Sequence, residues 1–260
     1  MKFKNIQEEK KYYEQEASQE EFLKWYKHQD LPTYEKPSVT VDNVILGWQD
    51  EQIKLLLIQR KANPFKGKYA LPGGFVDKNE DTLEAVIREV KEEVSIQLDS
   101  DCIEQLKTIA TPNRDPRTWV ITVAHLTYLP CMSQVQIVAS DDAKEVEWVS
   151  LAVNKAGQIK LDGKHGLIDL NQLAFDHEEI IKEAVIRIKN RLNYAPTILK
   201  ILGSTFTLTD ARKVYSKFLG LSLEELDNSN FRKTQGKFFE ELGFETKPTK
   251  GRPKKIYRLK

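Results

Sequence analysis

The stretch over residues 73–96, GGFVDKNEDTLEAVIREVKEEVSI, constrains this chain most. A glycine pair leads into a segment whose last 17 residues carry six acidic side chains, and Glu89, Glu92 and Glu93 fall within five positions. Leu83, Ile87, Val90 and Val94 recur at i, i+4, i+7 and i+11, which predicts an amphipathic helix over 81–94. On that helix the three glutamates are related by i, i+3 and i+4, so their carboxylates share one face beside the apolar stripe. Like charges this close repel unless a cation sits among them. Carboxylate oxygens are preferred ligands of Mg²⁺ or Mn²⁺. Arg88 can hold one carboxylate in place through charge-assisted hydrogen bonds. Glu80, in the preceding loop, can add a further ligand, and Gly73 and Gly74 allow the tight turn before the helix. A metal held there would bridge phosphate oxygens and activate a water, whose proton one carboxylate would take. The alternative is a solvated helix face with Arg and Lys interspersed.

The rest of the chain supplies the setting. Its 260 residues suit one large domain or two smaller ones, and 40% hydrophobic with 30% charged residues is ordinary for a globular protein. The two cysteines, Cys102 and Cys131, make neither a disulfide framework nor a zinc spacing, which favours a reducing cytoplasm. No apolar run is long enough to span a bilayer and the N-terminus lacks an apolar signal core, so no membrane partner is expected. Residues 1–16 are charged and polar and read as a frayed or disordered arm. SQEEFLKWYKHQD reads as a short helix with a Ser18/Glu21 capping box, followed by a connector over 31–37. VTVDNVILGW and IKLLLIQR predict a hairpin or adjacent strand pair. IEQLKTIATP, TWVITVAHLTYL, VQIVA and EVEWVSL are further strand candidates, and HEEIIKEAVIRIKNRLN is a long helix.

The net charge of +1 hides an asymmetry: over 229–260 basic residues outnumber acidic ones roughly threefold. TDARKVYSKFLG and SNFRKTQGKFFEELG read as helices ending at glycines, and FETKPTKGRPKKIYRLK as a hairpin with a basic tip. That order describes a winged helix, with SNFRKTQGKFFEELG as recognition helix, capped by Ser229 or Asn228. Phe231, Phe238, Phe239 and Leu242 form its inner face, leaving Asn230, Arg232, Lys233, Gln235 and Lys237 for double-stranded DNA. Lys250, Arg252, Lys254 and Lys255 on the wing can reach phosphates or the minor groove. The alternatives are an inert basic appendage or a protein-interaction module. The chain thus divides into an arm and helix over 1–37, a first domain over 38–195 and a winged helix over 196–260.

Upstream, TPNRDPRTW places Arg114 and Arg117 where they can hold diphosphate or ribose oxygens, and Trp119 or a nearby aromatic can stack on a base. The alternative is a charged turn with Asp115 paired to an arginine. Arg60 and Lys68 are further cationic candidates, with simple exposure as the alternative. His177 reads as a helix-start or packing histidine.

Gly74, five residues, Glu80, seven residues, then REVKEE and Ile96 resemble the Nudix box, G-x5-E-x7-R-E-U-x-E-E-x-G-U. The resemblance implies an α/β/α sandwich around a mixed sheet and hydrolysis of a nucleoside diphosphate linked to another moiety. By position it makes Glu89 the base or a metal ligand oriented by Arg88, and Glu92 and Glu93 metal ligands. The one departure is Ser95, where the family has glycine, and this bears on full activity. RDPR before an apolar strand resembles Nudix proteins that handle ADP-ribose, with Gly74, Arg60, Arg114 and Arg117 as the substrate side. DDAKEVEW resembles a later family segment in which a loop acid, here Glu145, assists catalysis.

NFRK and the terminal GRPKKIYR, behind such a domain, resemble the Nudix-related transcriptional regulators of the NrtR type. These are homodimers that sense a nucleotide-sugar or sugar ligand and bind an operator, many with a decayed box. Here the acidic residues are intact. Two compatible expectations follow, a metal-dependent hydrolase of an ADP-ribose-like substrate and a ligand-responsive DNA-binding regulator; the alternative is a ligand-sensing regulator without catalysis.

Overall fold

The structure is a computed structural model that describes residues 3–29, 34–130, 132, 143–245 and 253–260. The chain divides into two compact units, Met1–Lys36 and Pro37–Lys260. The VQIVA strand candidate, Lys250, Arg252, Cys131 and part of the 31–37 connector lie outside the described residues.

In the first unit α1 spans Ile6–Gln15 and α2 spans Gln19–Lys27. The reciprocal Ser18/Glu21 capping box forms as expected. The arm over 1–16 is not frayed throughout. Asn5 caps α1 by accepting from the Glu8 N–H, Tyr13 stacks on Trp25 at 4.9 Å, and the Trp25 indole donates to Glu9. Neither helix buries a residue, so aromatic stacking and capping stand in for a core.

The second unit begins with β1 (Ser38–Gln49) and β2 (Gln52–Arg60), an antiparallel hairpin in register Leu46↔Leu55. Asp50 and Glu51 both have positive φ, the twist that suits a tight hairpin. Next come β3 (Tyr69–Ala70), β4 (Gly73–Phe75), α3 (Thr82–Val94), β5 (Ile103–Ile109), β6 (Val120–Tyr128) and β7 (Ala143–Val153). β8 (Ile159–Gly163), β9 (Gly166–Ile168) and α4 (His177–Arg191) follow. Among the described residues the strands form one sheet in the order β5-β6-β1-β2-β7-β8-β9, with β3 beside β2 and β4 beside β1. β1 and β6 run parallel and the other pairs antiparallel, so the sheet is mixed.

The two-residue alternation of the strands divides the core. Val41 and Ile45 of β1, with Leu56 and Ile58 of β2, face α3. Val44, Leu46, Leu55 and Leu57 face the opposite way, toward α4. This is an α/β/α sandwich. On α3 the fully buried row is Ala85, Val86, Val90 and Val94, while Leu83 and Ile87 are only partly covered. The expected stripe is therefore rotated slightly, because small side chains let this helix lie close to the sheet.

Beyond α4, a 3-10 turn over Thr197–Leu202 leads to β10 (Phe206–Thr207), α5 (Leu208–Leu219), α6 (Asn228–Gln235), β11 (Phe239–Phe244) and β12 (Lys255–Leu259). A three-stranded sheet, β10-β12-β11, completes a winged helix. The predicted recognition helix ends earlier than expected, at Gln235. FEELGF, from Phe239, is strand, because pairing with KIYRL buries Phe239 against Tyr257 and Phe231. Leu242, expected on an inner face, is exposed. One apolar core runs from the α4 face of the first sheet through Ile198, Leu199 and Ile201 to Val214, Phe218, Phe231 and Phe239.

Candidate active site and nucleic-acid interface

β4 pairs with β1, placing Gly73 opposite Asp42 and Gly74 opposite Val41. A side chain at Gly74 would lie 2.3 Å from a Glu89 carboxylate oxygen, so only glycine allows that carboxylate to rest on the backbone. The Gly73 N–H donates to Glu93 at 3.0 Å. Asp81 caps α3 in a reciprocal box with Glu84, which fixes where the helix starts and so which residues face the glycine turn.

Arg88 is the hub of the acidic cluster. Its guanidinium donates to Glu80 at 2.6 and 3.0 Å, to Glu89 at 2.8 Å, to Glu92 at 3.1 Å and to the Phe75 carbonyl at 3.0 Å. Hydrogen bonding to Arg88 holds Glu80 at about 2, and the same bonds raise Arg88. Burial pushes Glu89 up, and pushes Glu93 up to about 8, where the charges of Glu89 and Asp42 add to it. Glu89 and Glu93 line a cavity of about 370 Å³, whereas Glu92 stands largely in solvent beside it. Glu80, expected as a further metal ligand, is turned toward Arg88 and the Asp77 N–H. Among the described residues no set of three or more acidic, His or Cys side chains converges as a ready metal cage, because Arg88 stands between the carboxylates. The donor chemistry still suits a hard divalent ion: two desolvated carboxylates, one helical turn apart, face the same space.

The opposite wall of the cavity is cationic and aromatic. The Arg60 guanidinium lies 5.0 Å from the Phe175 ring centre and donates to the Pro64 carbonyl. Arg117 reaches over Phe75 at 5.7 Å and Phe175 at 5.9 Å, and is held by Asp115 at 2.7 Å. Burial lowers Arg60, and the nearby Arg117 charge lowers it further. Two guanidiniums facing one space have the chemistry to hold an anion. Arg114 differs from expectation. Its side chain is 4% exposed and donates to Asp176 at 2.6 and 2.9 Å and to Asp42 at 3.1 Å, so it lines the cavity with its charge already balanced by two carboxylates. His177 Nδ1 accepts from the Leu71 N–H at 2.8 Å, which leaves its Nε2 to donate to Asp42 at 3.2 Å. Burial alone would raise Asp42, but His177 and Arg114 outweigh it and hold the carboxyl at about 2.

Trp119 is half exposed and sits outside this cavity, on a neighbouring notch that shares Asp115 and Arg117 as its wall. Lys68 is tied to the Asn171 carbonyl, and Glu145 to Lys164. Sequence reasoning missed Asp42, Asp176, Phe75 and Phe175. Asp42 had a signal, since a charge inside the apolar run VTVDNVIL needs a partner once that strand is buried. Phe175 belongs to the aromatic and histidine run LAFDHEEII, but its side chain reaches the cavity through a positive φ that sequence does not announce.

In the winged helix, Asp227 caps α6, rather than Ser229 or Asn228. Asn230, Arg232 and Lys233 point outward, while Phe231 and Gln235 are buried. Lys237 lies past the helix end, in a 3-10 turn, over the Phe238 ring. On the wing Lys254 is exposed, but Lys255 is paired with Glu241 at 2.5 Å and Arg258 with Glu240 at 2.8 Å. Among the described residues, the exposed basic set thus includes Arg232 and Lys233 of α6, with Lys237 and Lys254 beyond it.

Comparison with known proteins agrees with this geometry. Residues 36–167 match the NUDIX domain family, and residues 198–259 match the NrtR DNA-binding winged helix domain family. The chain is 34% identical over 212 residues to the ADPR responsive transcriptional repressor NtrR of Acinetobacter baylyi, covering 80% of this chain and 76% of that one. It is 39% identical over 171 residues to an ADP-ribose pyrophosphatase of Methanocaldococcus jannaschii, covering 63% and 83%. Among solved structures, a MutT/nudix family protein from Enterococcus faecalis superposes over 100% of both chains at 45% identity and a TM-score of 0.89.

Proposed function

The chain belongs to the Nudix family and carries an NrtR-type winged helix, and on that premise we propose that it hydrolyses an ADP-ribose-like nucleotide sugar and binds operator DNA. One observation carries the hydrolase reading: Glu89 and Glu93 face a cavity whose other wall is Arg60, Arg117 and Phe175. The functional division follows 1–37, 38–195 and 196–260. The operator reader is the outward face of α6, with Asn230, Arg232 and Lys233, assisted by Lys237 and Lys254. A homodimer in the cytoplasm suits the operator reading. Among the described residues no helix is long and apolar enough to cross a membrane.

Glu89, Glu92 and Glu93 would hold Mg²⁺ or Mn²⁺. When bound, such an ion neutralises diphosphate charge and makes its bound water more acidic. Arg60 and Arg117 hold the diphosphate from the opposite wall, and Phe175 and Phe75 offer flat faces to a base. Arg88 orients Glu89, and Glu80 acts through Arg88 by keeping it in place. Glu89, which Arg88 holds at the edge of the cavity, is the carboxylate suited to accept a proton.

A second reading is a sensor without catalysis. Its support is Arg88, which already occupies Glu80, Glu89 and Glu92 with an internal cation. The deciding experiment is release of AMP and ribose 5-phosphate from ADP-ribose with Mg²⁺, wild type against Glu93→Gln. The hydrolase reading expects turnover in the wild type, falling about 100-fold or more in the variant, while ADP-ribose still raises the variant's Tm. A wild type with no turnover, whose Tm ADP-ribose nonetheless raises, is the sensor. For the DNA face, Arg232→Glu with Lys233→Glu should abolish salt-sensitive duplex binding, and equal binding would remove α6 from that role.

A further inference from the structure

Asp176 occupies the N-cap position of α4, where aspartate ordinarily accepts from the first free N–H groups of its own helix. Here it makes no such bond. Both carboxylate oxygens go to Arg114 instead. The residue therefore has two competing partners, a guanidinium on the cavity wall and the start of its own helix. His177, the next residue, is bound to Asp42 and to the Leu71 N–H, so this end of α4 is tied to the floor of the cavity.

The other end of α4 is tied to the winged helix. The carbonyl of Leu192 accepts from the buried Tyr215 hydroxyl of α5 at 2.7 Å. Asn193 accepts from the Gln235 amide at 3.2 Å, and Gln235, the last residue of α6, also meets Tyr215. Between the two ends the helix has no slack. Ile180, Ile181, Ala184, Val185 and Ile188 are buried, Arg187 donates to the Leu106 carbonyl, and Arg191 pairs with Glu104. A helix of this length spans roughly 22 Å. Pinned this way, it shifts as a unit or not at all.

We infer that α4 couples the cavity to the DNA-reading helix, with the Asp176 choice between Arg114 and the helix start as its input and the Asn193–Gln235–Tyr215 junction as its output. An anion entering beside Arg114 competes with Asp176 for the guanidinium. Released, Asp176 caps α4, and the helix start resettles against His177. The displacement reaches α6 through the Asn193–Gln235 bond and the Tyr215 hydroxyl. The inference rests on the proposed reading that the cavity takes an ADP-ribose-like anion and that α6 reads DNA.

The test measures affinity of the full chain for a duplex of its own upstream region, with and without ADP-ribose, in EDTA so that no hydrolysis occurs. ADP-ribose affinity is measured separately. Wild-type duplex affinity should change at least fivefold with ligand, and by linkage the duplex should change ADP-ribose affinity by the same factor. Asn193→Ala, which touches neither ligand, should keep both separate affinities within about twofold while the coupling falls below about twofold. Tyr215→Phe gives the same reading if Asn193→Ala misfolds. Asp176→Ala should also lose coupling, from the input end. Full coupling in folded Asn193→Ala or Tyr215→Phe overturns the inference alone, as does a wild type that binds both ligands without coupling. A wild type that fails to bind ADP-ribose or duplex overturns the functional reading beneath it.

Discussion

Ser95 closes α3 with φ 61° and ψ 24°, the left-handed conformation in which the Nudix box has glycine. Its N–H bonds the Lys91 carbonyl, so the helix end is intact and the serine bears the strain. A non-glycine residue there costs on the order of 1 kcal/mol. Ser95→Gly should therefore raise stability by about 1 kcal/mol in equilibrium urea unfolding, with no change in the α3 carboxylates. No gain would mean the surroundings already offset the strain. At this scale sequence spacing was informative for the acidic set, because a helix repeats every 3.6 residues and places 89, 92 and 93 together whatever the fold. It left open which of these carboxylates line the cavity. Glu92 stands in solvent and Glu80 is bound to Arg88, and that follows from where the glycine turn packs.

Among the elements, β1 holds the telling residue. Asp42 ties the strand to Arg114 in the β5–β6 connection and to His177 at the start of α4. Its carboxyl lies at about 2 in the fold against an ordinary 3.8. A depressed carboxyl stabilises the fold fully above its unfolded value, and that contribution disappears as pH falls from about 4 to about 2. The contribution is about 2 kcal/mol. Asp42→Asn should be less stable than wild type at pH 7 and should show a flatter decline over this acid window, read by urea midpoints at successive pH. An unchanged decline would assign the acid sensitivity to other carboxylates. Elements with strong periodicity, β1, β2, α3 and α4, were legible in the sequence. α6 was overextended because FFEELG satisfies a helical pattern as well as a strand pattern. The competing strand KIYRL, some 15 residues away, decided the matter by burying Phe239.

On the scale of the whole second unit, the Nudix and winged-helix modules share one apolar core rather than hanging on a linker. Gly220, with φ +65°, caps α5 so close to the turn after β7 that a side chain would lie 2.3 Å from the Asn154 backbone. Lys155 pairs with Glu225 and Lys213 with Glu51 across the same junction. Calorimetry of the full chain should accordingly show one main cooperative transition for residues 37–260. Two well-separated transitions would mean the shared core contributes little and the modules unfold independently.

The amino-acid sequence alone determined the presence of an acidic helix behind a glycine turn, a sandwich of alternating strands, and a basic terminal unit. Those properties depend on local period, turn chemistry and charge, which neighbouring residues carry between themselves. Tertiary structure alone decided that Arg114 is bound by Asp42 and Asp176, that Phe175 joins Arg60 and Arg117 at the cavity, and that α4 ends on Tyr215 and Gln235. Each of these joins residues between 23 and 115 positions apart in the chain. Only burial, by removing water as the competing partner, makes one such pairing prevail over the others.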